Sequence, residues 1–139
     1  MSTRTICEYH LLPFSQIKAN LFYRTPGGGG YGQNIATFGE TGDVQDLGEA
    51  HQVAQASTDM WYNGEINSFL PEYYGQDNPD FSNFDSWGHF SQMVWLATEE
   101  VGCASQYCDA GTIFSDFGSW FTVCNYGPEG MQISPFPVS

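Results

Sequence analysis

The sequence predicts an α+β fold with one hydrophobic core. Three observations carry the prediction. Apolar residues recur at helical spacing from about residue 46 to 69, and two strand-like runs at 100–107 and 119–126 are divided by turn signals. The third is the length of 139 residues, about one domain's worth and enough to bury a sizeable core.

In chain order, Gln33 to Phe38 reads as a short extended piece that ends in the turn-rich stretch Gly39 to Gly42. Asp46 stands three residues before Glu49, a capping-box-like start. Ala50, Val53, Ala54, Ser57, Met60 and Trp61 then keep helical spacing up to about Phe69, where Pro71 ends the helix. Trp61 and Glu65, four residues apart, share one face, which predicts an inward indole with a half-buried carboxylate beside it. Residues 71–87 read as a loop longer than ordinary connections. Phe81, Phe84, Trp87 and Phe90 recur in it every third residue, either as lids on a small core or as a ligand-facing patch. Phe90, Met93 and Val94 are spaced for a helical turn. The runs at 100–107 and 119–126, with Asp109-Ala110-Gly111 and Asp116-Phe117-Gly118 between them, predict an antiparallel hairpin. Such a hairpin brings Cys103 near Cys124 and leaves Cys108 for Cys7, although spacing alone permits all three pairings. The proline-rich end, from Pro128 onward, reads as irregular, and no internal repeat is found.

Sixteen acidic residues against three basic ones give a net charge of −13. This argues against nucleic acid and anionic lipid surfaces as partners, both of which need cationic contacts. No apolar run approaches the roughly 20 residues that cross a bilayer. Arg4, Lys18 and Arg24 are the only cations, so the composition breaks near residue 25, just before the glycine run of residues 27–30. The first residues lack the apolar core of a secretory signal. Yet four cysteines without a CxxC spacing read as two disulfides, which belong to an oxidising compartment.

For chemistry the inventory is small. There is no GxSxG elbow, HExxH or phosphate-binding loop. Of three histidines, His51 lies inside the helix and reads as solvent-facing, and His10 sits in the odd N-terminal segment. A metal or acid/base site therefore requires His89 and Glu65 to converge. The alternative for His89 is a core-edge histidine bonded to backbone.

The stretches GHFSQMVWLAT (88–98), VGCA (101–104) and FTVCNYGPEG (121–130), with GQNIA (32–36) and WYNGE (61–65), resemble the signature motifs of the CAP superfamily. That superfamily comprises the cysteine-rich secretory, antigen 5 and pathogenesis-related 1 proteins, and the spelling is most similar to fungal members. The similarity covers residues 27–131 or so. It implies an α-β-α sandwich around an antiparallel sheet, secretion, and an acidic cleft of two His and two Glu able to hold a divalent ion such as zinc.

Residue by residue, His89 and Glu65 match family cleft positions. The other family glutamate falls on Gln33, which offers neither a base nor a charge. His10 is the candidate for the first family histidine, so the implied metal set is His89, Glu65 and His10, in a cleft lined by Gln33, Glu65 and His89. The family's first helix has no counterpart upstream of Cys7, which leaves one layer of the sandwich missing. The expected organisation is an anomalous segment 1–26 followed by a CAP domain 27–139. Residues 11–24 are expected to be translated intron after a lost first exon that carried the signal peptide, which sequencing the transcript checks. The resemblance further implies binding of sterols or other small hydrophobic ligands; the aromatic loop offers Tyr73, Tyr74, Phe81, Phe84 and Trp87 as the expected contact residues, and no cofactor is required. Two alternatives stand beside it: a metal-dependent hydrolase, and a pathogenesis-related interaction protein with a vestigial cleft.

Overall fold

A computed structural model describes Cys7 and residues 32–39, 48–76 and 78–128. The elements are strand β1 (Gly32–Gly39), helix α1 (Ala50–Asn63), three short 3-10 turns, helix α2 (Gly88–Met93), and strands β2 (Glu100–Cys108) and β3 (Ser119–Gly127). The three strands form one antiparallel sheet in the order β1-β3-β2. The hairpin runs lie within one residue of their expected bounds. β3 is buried along its whole length, as a central strand should be, whereas edge strand β2 is largely exposed. Between them Gly111, at φ +85°, makes the turn, its N–H donating to the Phe114 carbonyl at 2.7 Å.

Three sequence expectations need correction. The first helix begins at Ala50, not near Asp46, which lies outside the described residues. Its start is fixed by the Glu49 N–H donating to Gln52 Oε1 at 2.7 Å, the back-reaching half of a capping box. It also stops at Asn63, six residues short of Phe69. Gly64 donates to the Met60 carbonyl at 3.0 Å, and a 3-10 turn follows at Ile66–Ser68 before Phe69 turns extended. Pro71 therefore does not end α1; it opens a second 3-10 turn, Pro71–Tyr73, where its missing N–H costs nothing.

The third correction concerns the supposed long loop at 71–87, which contains two turns of 3-10 helix, Pro71–Tyr73 and Phe81–Ser86. Asp80 Oδ1 caps the second by accepting the Ser82 N–H at 2.9 Å. This segment is kinked at Asn83 (φ −118°, ψ 28°), so Phe81 and Phe84 lie on either side of the kink and Trp87 just past its end, and the three rings meet by packing, at 6.0, 5.8 and 4.8 Å. The expected missing first helix and the intron-like residues 11–24 lie outside the described residues.

The chain divides into two units, both of which draw on α1 and all three strands. In one, Cys7, Cys108, Phe121 and Val123 form the core, with Ile35 and Ile113 partly buried against it. Cys7 and Cys108 are joined by a disulfide, Cys103 and Cys124 are disulfide-bonded as well, and no thiol is free. In the other unit Phe69, Tyr73, Trp87, Phe90 and Trp95 form an aromatic core, flanked by Ile66, Tyr74, Phe84, Val94 and Ala97. No helix among the described residues is long and apolar enough to cross a membrane.

Candidate functional site

Glu65 and His89 meet within the second unit. Glu65 lies two residues past the end of α1, and His89 is the second residue of α2. His89 Nδ1 stands 2.7 Å from Glu65 Oε1, and Glu65 Oε2 accepts the Phe90 N–H at 3.0 Å. That N–H belongs to the first turn of α2 and has no acceptor inside the helix, so one carboxylate both caps α2 and holds the imidazole. An ionised carboxylate only accepts, which puts a proton on Nδ1 and, in the neutral imidazole, leaves Nε2 as the acceptor.

The Trp61 indole stacks on the His89 ring, with centroids 5.7 Å apart and planes 15° apart. From β1, buried Asn34 donates through Nδ2 to the His89 carbonyl at 3.0 Å and to the Tyr126 hydroxyl at 3.4 Å. Burial pushes the Tyr126 phenol up to about 12, against the opposing pull of its bond to Asn34, so it stays neutral at physiological pH. The His89 side chain is 39% exposed and that of Glu65 only 14%, so the imidazole is the reachable member of the pair.

The other expected site residues are placed less favourably. Gln33 donates through Nε2 to Asn125 Oδ1 at 2.7 Å, and its buried Oε1 has no hydrogen-bond partner. His51 is exposed and pairs at 3.4 Å with Glu49, away from any site chemistry. His10 lies outside the described residues. Among the described residues no three His, Cys, Asp or Glu side chains gather as a metal set. Each Glu65 oxygen accepts one hydrogen bond and keeps further lone-pair capacity. A catalytic zinc centre takes three protein ligands; the described residues supply two of the expected set, and the third, His10, lies outside them.

Of the five expected ligand-contact rings, Trp87 is fully buried and Tyr73 is 7% exposed. Both belong to the aromatic core. The reason is their packing: the Trp87 ring meets Phe69, Tyr73, Phe81 and Phe84 at centroid distances of 5.3, 5.7, 5.8 and 4.8 Å. Tyr74 and Phe84 are half-buried, and Phe81 is exposed. Spacing did not single out Asn34 or the Phe90 N–H. The signal for Asn34 was its place on a strand next to Gln33, where side chains alternate between faces.

Replacing Glu65 with Ala strands the Phe90 N–H and releases the imidazole. The expected cost is about 1–3 kcal/mol in chemical denaturation. Nitrogen NMR of His89 is expected to show the Nδ1–H tautomer in the parent and a mixture in the variant.

The description "Cysteine-rich secretory protein family" (CAP) matches residues 4–126, a span that includes most of the compositionally odd N-terminal segment. A "Probable pathogenesis-related protein" of Arthroderma benhamiae is 44% identical over 110 residues, covering 78% of this chain and 32% of that protein. Protein PRY2 of Saccharomyces cerevisiae is 38% identical over 112 residues, 78% of this chain and 25% of the relative. Venom allergen 5 of Vespula pensylvanica is 36% identical over 100 residues, 71% of this chain and 41% of the relative. The chain thus spans less than half the length of these relatives. The solved structure of BmVAL-1 shares the fold at a TM-score of 0.52 and 22% identity, covering 79% of this chain and 50% of that one. The family match over most of the length, the fold and the identities together show that this chain belongs to the CAP, or cysteine-rich secretory protein, family.

Proposed function

We propose that residues 27–139 form an extracellular binding module for a small, flat hydrophobic molecule, with a sterol as the first candidate. The observation that carries this reading is Phe81. Its ring is 45% exposed although it rests on Phe84 at 6.0 Å and Trp87 at 5.8 Å. A large apolar ring held towards water on a rigid aromatic base is a ready surface for a planar ligand. Oxidation of all four cysteines supports an extracellular setting.

The test is sterol binding by the intact chain and by Phe81→Ala, with thermal denaturation of both showing that the variant is folded. Removing that contact is expected to weaken binding about tenfold or more. Equal binding by parent and variant overturns the assignment to this face.

The 2.7 Å His89–Glu65 pair favours a second reading, hydrolysis assisted by a divalent ion. It ranks lower because the described residues fall short of a ligand set. Zinc titration of the intact chain against His89→Ala separates the two readings.

A further inference from the structure

Phe81 sits in company of one sign. Exposed Asp80 precedes it, exposed Asp85 follows four residues on, past the kink at Asn83, and exposed Glu72 lies in the preceding 3-10 turn. The Asp80 carboxyl is held below its ordinary range by hydrogen bonds from the Ser82 N–H and then the Ser82 hydroxyl. The negative charge reaches the ring cluster itself, because burial and then the carboxylates of Asp80 and Glu72 raise the Tyr73 phenol. Tyr73 lies 5.7 Å from Trp87, the ring on which Phe81 rests. No lysine or arginine occurs among the described residues, and over the whole chain three cations face sixteen carboxylates.

We propose that the Phe81 face selects by charge: it seats an apolar, ring-bearing molecule with a cationic head group and turns away the same body carrying an anion. The inference rests on the binding reading above and names its ligand class. A ring face attracts a cation within about 6 Å, and exposed carboxylates close to it along the chain add to that attraction while repelling an anion. The neutral form of the ligand stands between the two.

Three probes on one sterol body test this: the 3-amine, the 3-hydroxyl and the 3-sulfate, each titrated against the intact chain in dilute buffer and at high salt. The expected order is amine, then hydroxyl, then sulfate, with about tenfold or more between the extremes in dilute buffer. The gap is expected to shrink to about threefold at 0.5 M salt, where screening acts within roughly 4 Å. An Asp80→Asn/Asp85→Asn variant, which keeps a side-chain oxygen for the Ser82 N–H, is expected to narrow the gap in dilute buffer.

If the hydroxyl probe binds while amine and sulfate bind alike, or the sulfate binds tighter, charge selection is overturned and the binding reading stands. A sulfate deficit that ignores salt and the variant is steric, and it also overturns the proposal. If none of the three binds, the binding reading falls first and takes the inference with it.

Discussion

Trp87→Ala is expected to destabilise the protein by about 3–5 kcal/mol, the range for removing a buried aromatic side chain from a packed core. The indole is fully buried, and its ring meets four others, with Phe69 and Phe84 edge-on. Such a void cannot close easily, because every neighbour is a rigid ring that also packs against further rings. The lost hydrogen bond counts for less: the indole N–H donates to Asn83 Oδ1 at 3.0 Å, and exposed Asn83 finds water instead. Chemical denaturation measures the cost, and Trp87→Phe, which refills part of the volume, is expected to recover about half of it. A loss below about 1 kcal/mol for the alanine variant is incompatible with the packing described.

The second large effect is expected at Cys7–Cys108. The two residues are 101 positions apart in sequence. By the chain-entropy account, a cross-link closing a loop of that length stabilises by about 4–5 kcal/mol. Both cysteines are also core residues of their unit, packed with Phe121 and Val123. A Cys7→Ala/Cys108→Ala variant avoids burying a hydroxyl and is expected to lose most of that amount, measured by denaturation under non-reducing conditions. Against typical stabilities of about 5–15 kcal/mol, such a loss leaves little margin.

The elements that came clearly through the sequence are those with two or more agreeing signals. The strands around Cys103 and Cys124 combined β-forming residues with flanking turn chemistry, and their bounds hold to one residue. The end of α1 was obscured because Ile66 and Phe69 continue the apolar spacing beyond Asn63, while the break at Gly64 rests on one backbone bond to Met60. At the aromatic stretch the period of three reads as a loop from sequence, and the structure holds short 3-10 turns there. A period of three is compatible with a 3-10 turn, but the kink at Asn83 breaks it, so the rings meet by tertiary packing.

For the site, a shared helix face placed Trp61 beside Glu65, but it did not show how the Glu65 oxygens are spent. That follows from the tertiary arrangement, in which the first turn of α2 presents an N–H to the carboxylate. Likewise, the sequence could not say which rings of the 73–87 stretch are core. Tyr73, Phe81 and Trp87 are all large aromatics, and only packing separates the two buried rings from the exposed one.

The strand order bears on the protein's birth. During synthesis, β1 and β2 leave the ribosome before the strand that lies between them, and neither has its sheet neighbour until residue 127 has emerged. The nascent chain therefore carries two unpaired strands and three of its four cysteines before the central strand arrives, so its sheet edges are open to pairing with other chains in that interval.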